Sequence, residues 1–383
     1  MTINAPKGFR AAGLAAGIKE SGAKDLTLVV NDGPLDVAAG VFTRNKVKAA
    51  PVLWSQQVLS TGRVKAVVLN SGGANACTGP EGFQDTHATA EHAAEILGIG
   101  AIDVAVCSTG LIGERLPMTQ LLAGIEKAAA SLAPAAGDDA ARAIMTTDTV
   151  PKQSVAEGTG FTVGGMAKGA GMLAPGLATM LSVVTTDADV DAATLDRVLR
   201  AATARTFDRV DSDGCMSTND TVLLLASGAS GVAPEPAAFA AAVERLCADL
   251  CRQLVADAEG ATKDVAIEVV GAATEADAVE VGRAVARSNL LKCAFFGNDP
   301  NWGRVLAAVG TTSAAFEPDA LDVAINGVQV CRAGGAGEPR ELVDLSGRDI
   351  AVLVDLHAGP ATATIWTNDL SLAYVHENSA YST

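Results

Sequence analysis

Apolar and polar positions divide the chain into strands and helices that follow one another in no strict alternation. Stripes of apolar residues at helical spacing predict helices at residues 83–97, 117–133, 140–145, 191–206, 236–257 and 275–288. Short β-branched apolar runs predict buried strands at residues 64–70, 102–107, 181–186, 221–226 and 265–270. Turn residues predict hairpins between residues 25–31 and 36–43, within 321–330, and between 349–356 and 361–366. Strand clusters mixed with helices favour an α/β protein built as an α+β layered sandwich over a doubly wound sheet.

Length and charge narrow the class of protein. A chain of 383 residues is long enough for two or three layers and two domains. Its net charge of −16 argues against nucleic acid or an anionic membrane as a partner, because binding phosphates requires clustered Lys and Arg. No apolar run approaches the roughly 20 residues of a spanning helix, and residues 1–7 lack the features of a signal peptide. These observations predict a cytoplasmic protein.

Cysteine and histidine spacing gives no sign of a metal site. The 7 cysteines are scattered without a Cys-x-x-Cys pair, as expected of reduced thiols in the cytosol. Cys247 and Cys251 are four residues apart on a predicted helix, but no histidine accompanies them. Packing is therefore the better interpretation of this pair, and we predict that no metal is bound.

The Gly- and Pro-rich segment 168–180 carries the most suggestive chemistry. It delivers Thr179 to the start of the strand predicted at 181–186, where a hydroxyl group could act as a nucleophile. A surface turn before a buried strand is the alternative. Because no histidine is near in sequence, another base is needed. If the Ala178–Thr179 bond is cut, the α-amine of Thr179, with a pKa of about 7.7–8.0, can serve as that base.

Other Gly-rich loops follow predicted strands. In Ser108-Thr109-Gly110, a hydroxyl and a backbone N–H could converge as an oxyanion hole, but the chemistry of these residues alone favours a simple strand-ending turn. Residues 70–79 match neither nucleotide-binding pattern and predict a loop that lines a site. Residues 208–220 resemble a calcium loop but lack its final Glu, so a polar turn is the better interpretation. Residues 295–304 are compatible with a substrate rim or a structured loop.

Taken together, these segments resemble the ornithine acetyltransferase family, the glutamate N-acetyltransferases of the cyclic arginine pathway. The resemblance extends over nearly the whole chain. It rests on motifs at residues 70–79, 108–116, 145–152, 168–180, 216–221, 257–263 and 296–304.

The resemblance implies a precursor that cleaves itself between Ala178 and Thr179. The products would be an α chain of residues 1–178 and a β chain of residues 179–383, associated as a heterotetramer with two copies of each. It also implies the layered fold of N-terminal nucleophile hydrolases, with different connectivity. Thr179 would take the acetyl group from N2-acetylornithine and pass it to glutamate.

The same resemblance implies roles for individual residues. Thr109 and Gly110 would form the oxyanion hole. The residues expected to contact substrate are Thr146, Lys168, Thr179, Glu259, Asn378 and Thr383. No cofactor is expected, although some members of the family also accept acetyl-CoA as a co-substrate.

Two other classes of function remain open at this stage. One is an amidohydrolase or aminopeptidase with the same N-terminal nucleophile, in which water replaces glutamate as the acceptor. The other is a metabolite-binding protein that is never processed.

Overall fold

A computed structural model describes residues 2–174 and 180–380 of the chain. The predicted nucleophile Thr179, its neighbour Ala178 and the C-terminal Thr383 lie outside the described residues. The strands are β1 Phe9–Leu14, β2 Leu26–Asn31, β3 Val37–Phe42, β4 Ala66–Gly73, β5 Val104–Leu111, β6 Lys152–Glu157, β7 Thr162–Lys168, β8 Leu181–Thr186, β9 Thr221–Ala226, β10 Asp264–Ala272, β11 Asp322–Ile325, β12 Val328–Arg332, β13 Gly335–Ala336, β14 Asp349–Asp355 and β15 Ala361–Asn368.

Helices connect and cover these strands. They are α1 Ala50–Leu59, α2 Gly79–Leu97, α3 Met118–Ala130, α4 Gly137–Ala143, α5 Ala192–Arg205, α6 Pro236–Ala256, α7 Glu275–Ala286, α8 Asn289–Phe296, α9 Trp302–Val309 and α10 Leu372–Ala380. None of the helices in the described part of the chain is long and apolar enough to cross a membrane.

Two sheets stack to form the larger body. Sheet 1 has the strand order β1-β2-β4-β5 and sheet 2 has the order β3-β9-β8-β7-β6. Alternate side chains of β8 and β9 point to opposite faces of sheet 2, and both faces are buried. Leu181 and Val183 share a core with sheet 1, whereas Val184 and Leu224 pack in a second core with α5 and α6. With α2 and α3 on sheet 1, the layers run helix, sheet, sheet, helix, and the expected layered α/β class is confirmed.

The C-terminal part has a sheet and a core of its own. Sheet 3 has the order β13-β12-β11-β14-β10-β15, and α7 and α9 pack with its buried face. The hairpin predicted within 321–330 is confirmed: β11 and β12 pair antiparallel, with Asn326 at φ +47° and Gly327 at φ +83°. Positive φ at both turn positions is what the tight Asn-Gly hairpin turn requires.

The other two predicted hairpins are wrong. Strand β2 pairs with β1 and β4 in sheet 1, whereas β3 pairs with β9 in sheet 2. The turn at Gly33 therefore carries the chain from one sheet to the other, and the Asn31 side chain bonds both Gly33 N and Leu35 O across it. In sheet 3, β10 inserts between β14 and β15 and pairs with both. Turn residues indicate a reversal of direction, but they do not say which strand lies alongside.

Candidate active site

The predicted oxyanion pair lies at the end of β5. Thr109 and Gly110 stand beside Ser71 and Gly72 in the parallel pairing of β5 with β4. Gly110 has φ +123°, and a Cβ atom there would lie only 2.6 Å from the carbonyl carbon of Gly72. Both the conformation and the close approach of the strands require glycine at this position.

Lys168 joins the oxyanion pair from the other sheet. It is the last residue of β7, and its side chain is 2% exposed. Its Nζ donates to Oγ1 of Thr109 at 3.4 Å. The Thr109 hydroxyl accepts this hydrogen bond, and its own hydrogen has no acceptor within residues 2–174 and 180–380. Three residues predicted to form the site thus meet where sheets 1 and 2 approach each other.

Burial and nearby charges act in opposite directions on the Lys168 ammonium. Burial lowers the pKa of Lys168, and the ammonium of Lys152 adds to that effect. The carboxylates of Asp148, Asp220 and Glu259 raise it, although not enough to restore the ordinary value. A buried lysine in such surroundings is typical of a functional site rather than a solvated surface.

Asp148 holds the loop that leads away from Lys168. Its Oδ1 accepts from Gly169 N and from Lys152 Nζ, both at 2.6 Å, and its Oδ2 accepts from Thr146 N at 2.9 Å. Burial opposes ionisation of Asp148, but Lys168, Lys152 and the Gly169 N–H overcome it and lower its pKa to about 2. Asp148 therefore fixes the backbone of Thr146 beside that of Gly169.

Lys152 links this loop to the segment that carries Glu259. Its side chain is fully buried, and its Nζ donates to Asp148 Oδ1 and, at 2.5 Å, to Asp257 Oδ2. Asp148, Lys152 and Asp257 were not predicted from the sequence as parts of the site. The only local signal was the spacing of four residues between Asp148 and Lys152, which carries no meaning in a segment interpreted as a loop.

We expect replacement of Asp148 to destabilise the protein in a pH-dependent way. A carboxyl whose folded pKa lies below its unfolded value of about 3.9 stabilises the fold above that pH, and the stabilisation is lost as pH falls towards 2. Asp148→Asn should lower the free energy of unfolding at pH 7 by about 2–4 kcal/mol, since buried lysines lose their partner. Urea unfolding of the variant and wild type between pH 2 and 7 measures this.

Asp138→Asn is the matched control for that measurement. Asp138 pairs with Arg142 at 2.8 Å on the surface of α4, with both side chains about half exposed. Removing this exposed ion pair should lower the free energy of unfolding by less than about 1 kcal/mol at neutral pH. Equal losses for the two variants, or a loss at Asp148 that persists unchanged below pH 3, would contradict the assigned role of the buried carboxylate.

Glu259 lies on the far side of the same loop. Its Oε1 accepts from Thr147 Oγ1 at 2.7 Å, and its Oε2 accepts from Asn378 Nδ2 at 3.0 Å. A Cβ atom on Gly171 would lie 2.5 Å from Oε1, so the segment after Lys168 passes directly over the carboxylate. The structure therefore places Glu259 close to the backbone that leads to the predicted cleavage bond.

Asn378 reaches Glu259 because the C-terminal helix folds back onto the site. Gly260, at φ +62°, lets α10 approach so closely that a Cβ there would be 2.2 Å from Tyr374 N. Ser371 Oγ fixes the start of the helix by donating to Gly260 O at 2.5 Å. The docking of α10 is a long-range contact that no local pattern predicts.

The remaining predicted motifs have structural roles. Asn70 accepts from Ser108 Oγ at 2.6 Å and donates to Gly73 O, which fixes the loop beside the oxyanion pair. Asn219 donates to Ser108 O from the segment that resembles a calcium loop.

Among the described residues, no three His, Cys, Asp or Glu side chains are grouped to hold a metal ion. Residues 295–304 form the end of α8 and the start of α9.

Comparison with known proteins gives matches along the whole chain. The sequence profile of the ArgJ family matches residues 10–383. The arginine biosynthesis bifunctional protein ArgJ of Streptomyces coelicolor is 70% identical over 382 residues, covering 100% of both chains. The protein of the same name from Mycobacterium tuberculosis is 62% identical over 389 residues, covering 99% of this chain and 96% of that one.

Solved structures also match parts of the chain. Ornithine acetyltransferase from Mycobacterium tuberculosis, complexed with ornithine, is 60% identical and covers 47% of this chain and 96% of its own, with a TM-score of 0.43. The arginine biosynthesis bifunctional protein ArgJ of Bacillus halodurans is 35% identical and covers 51% of this chain and 97% of its own, with a TM-score of 0.49.

Proposed function

The chain belongs to the ArgJ family and is an acetyltransferase of arginine biosynthesis, and from this premise we propose that it moves the acetyl group from N2-acetylornithine to glutamate through an ester on Thr179. The observation that carries the proposed chemistry is the meeting of Thr109, Gly110 and Lys168. The Thr109 hydroxyl, which has no acceptor for its own hydrogen among the described residues, lies beside the buried Lys168 ammonium, and Gly110 follows Thr109 at the end of the strand. Such a group of donors suits the oxyanion of an acyl transfer.

In the first half-reaction, the α-amine of Thr179 takes the proton from its own hydroxyl as Oγ attacks the acetyl carbonyl carbon. The carbonyl oxygen becomes an oxyanion, stabilised by the Thr109 hydroxyl and the Gly110 N–H, with the Lys168 charge nearby. When the intermediate collapses, the amide C–N bond breaks. The departing nitrogen receives the proton held by the α-amine, so ornithine leaves as a neutral amine and the acetyl ester remains.

In the second half-reaction, the amine of glutamate attacks the ester carbonyl. The ester C–O bond breaks, the Thr179 oxygen regains a proton from the attacking nitrogen, and N-acetylglutamate leaves. The same donors serve both half-reactions because both form an oxyanion at the same carbon. Acetyl-CoA would enter as an alternative acetyl donor to the same ester, and no tightly bound cofactor is needed.

Substrate recognition is proposed for the charged groups around this point. The Lys168 ammonium attracts a carboxylate and the Glu259 carboxylate attracts an ammonium, as two amino-acid substrates require. Glu259 is held by Thr147 and Asn378, which fix the orientation of its two oxygens. Thr146 and Thr383 complete the proposed contacts. We further propose cleavage into chains 1–178 and 179–383, their assembly as two copies of each, and a cytoplasmic location.

Ornithine release is expected to depend on glutamate. Purified protein incubated with N2-acetylornithine alone should release one equivalent of ornithine and gain one acetyl group on the 179–383 chain. Adding glutamate should then give continuous turnover and N-acetylglutamate. Chromatography of the amines and intact mass spectrometry measure both products. Continuous ornithine release without glutamate would show that water hydrolyses the acetyl ester, and it would contradict the transferase proposal.

A further inference from the structure

Lys19 lies in a tight loop whose backbone is fixed by a buried carboxylate. The Asp25 side chain is fully buried, and its Oδ1 accepts from Ala16 N at 2.6 Å. Its Oδ2 accepts from the backbone N–H groups of Gly17, Ile18 and Lys19 at 3.2, 2.7 and 3.0 Å. Hydrogen bonds to a carboxylate are stronger than those between neutral groups, so the loop is firmly held. Asp25 therefore fixes the point from which the Lys19 side chain starts.

The Lys19 side chain lies against the strand ends that carry the oxyanion pair. A Cβ atom on Gly72 would lie 3.1 Å from Lys19 Cγ, so the stem of the lysine packs directly on this glycine. Gly72 is in turn the partner of Gly110 in the parallel pairing of β4 with β5. Lys19 is therefore only one strand away from the glycine predicted to supply an oxyanion donor.

The Lys19 ammonium is held at the start of the segment that carries Thr146. Its Nζ donates to Met145 O at 2.7 Å and to Lys24 O at 3.1 Å. Met145 O belongs to the peptide group that joins Met145 to Thr146, one of the predicted substrate contacts. An ammonium has three hydrogens, and these two carbonyls are its acceptors in the described part of the chain. Both acceptors are neutral, so neither contact cancels the positive charge.

Lys19 and Lys168 are two ammonium groups close enough to act on each other. Burial lowers the pKa of Lys19, and the charge of Lys168 adds to that effect, whereas the carboxylates of Asp25 and Asp148 act in the opposite direction. Asp25 is engaged by the loop backbone, and Asp148 is engaged by Lys152 and two backbone N–H groups. An anionic group bound beside the two ammonium groups would offset their repulsion.

We propose that Lys19 binds the α-carboxylate that N2-acetylornithine and glutamate have in common. The inference rests on the proposed acetyl transfer. In both substrates this carboxylate is attached to the carbon next to the reacting nitrogen, so it lies close to the oxyanion donors when the acetyl carbonyl is in place. Lys168 donates to the Thr109 hydroxyl, whereas Lys19 brings a second charge beside the same strand ends. Glu259 then remains for the side-chain ammonium of ornithine.

The test compares two acetyl donors that differ only in the α-carboxylate. N-acetyl-1,4-diaminobutane is N2-acetylornithine without that group. We expect the wild type to prefer N2-acetylornithine in kcat/KM by about 100-fold or more, because hydrogen bonds between charged groups contribute on that scale. In Lys19→Gln this preference should fall by about 10-fold or more. Glutamine keeps N–H donors for the two carbonyls and removes the charge.

The ratio of the two kcat/KM values separates substrate binding from damage to the fold. If Lys19 only supports the carbonyl of Met145, both donors should lose kcat/KM by the same factor and the preference should keep its wild-type value. That result would overturn the proposal. A wild-type preference below about 10-fold would also overturn it, and this measurement requires no variant.

Lys24→Gln is the matched control. Lys24 lies in the same loop, donates to Gly13 O at 3.1 Å and pairs with Asp139 at 2.5 Å, with both side chains partly exposed. This variant should keep the wild-type preference between the two donors. An equal loss of preference in Lys24→Gln and Lys19→Gln would show a general effect of the loop and would contradict the assignment.

The acceptor provides a second readout of the same contact. KM for glutamate should also rise by about 10-fold or more in Lys19→Gln, since glutamate presents the same α-carboxylate. A rise in this KM with an unchanged preference between the donors would place Lys19 at the side-chain carboxylate of glutamate and overturn the assignment. Failure of the proposed function is separate, because wild-type protein would then release no ornithine or release it without glutamate.

Discussion

Thr179→Ala is expected to remain a single chain of 38.6 kDa and to lose acetyl transfer by on the order of 10³-fold or more. The reason is that the proposed mechanism uses one hydroxyl group twice. In that mechanism it attacks the carbonyl carbon of Ala178 in the continuous chain, and it attacks the acetyl group after cleavage. Alanine has no atom that can form either ester. Denaturing electrophoresis measures the loss of cleavage, and a glutamate-dependent ornithine assay measures the loss of acetyl transfer.

Thr179→Ser is the control because it keeps the hydroxyl and removes only a methyl group. It should cleave and transfer acetyl more slowly than the wild type, with both activities detectable. Both substitutions leave the backbone of Met180 unchanged, so Met180 N should still donate to Asp220 Oδ1 in each variant. Normal cleavage of Thr179→Ala, or an inactive but fully cleaved Thr179→Ser, would contradict the use of one nucleophile for both reactions.

Elements with a clear local pattern were predictable from the sequence. Strands β8 and β9 were predicted with the bounds that the structure gives, because each is a short apolar run buried on both faces. Helix α6 was predicted within one residue, from its apolar stripe and the Pro at its start. Strand β7 was missed because the glycines at 164 and 165 interrupt its apolar pattern, and β6 was missed because the sequence of Lys152–Glu157 is mostly polar.

Local sequence patterns could not predict the contacts between segments that are distant in the chain. Gly164 illustrates the reason: its missing side chain makes room for Thr2 O and Pro6, a fact of packing that no property of the segment itself indicates. The pairing of Lys152 with Asp257 likewise joins residues 105 positions apart. Nothing in either segment indicates its partner, so the charged residues that support the site became evident only from the structure.

The residues of the candidate site were predicted from the family resemblance more than from the chemistry of the individual motifs. Considered alone, the chemistry of Ser108-Thr109-Gly110 favoured a simple strand-ending turn over an oxyanion hole. The structure adds a physical reason to favour the latter. The buried Lys168 ammonium donates to the Thr109 hydroxyl, whose own hydrogen has no acceptor among the described residues. A simple turn would not need a buried ammonium beside its hydroxyl group.

The Thr109 hydroxyl can therefore be tested on its own. Thr109→Val keeps the shape of the buried side chain, which is 5% exposed, and removes the hydroxyl. We expect kcat to fall by about 10²- to 10³-fold, since loss of one oxyanion donor costs on that scale. KM for N2-acetylornithine should change little, because the donor acts mainly on the charge that develops in the transition state. Steady-state kinetics with saturating glutamate measures both parameters.

Thr109→Ser separates loss of the donor from loss of packing. Serine retains the hydroxyl and removes the methyl group, so its kcat should stay within about 10-fold of wild type, well above that of Thr109→Val. In Thr109→Val, Lys168 also loses the acceptor of its hydrogen bond, so both variants should be checked for an unchanged melting temperature. If Thr109→Val retains wild-type kcat while folded, or if it raises KM alone, the hydroxyl binds ground-state substrate at most. The oxyanion would then depend on the Gly110 N–H and on Lys168.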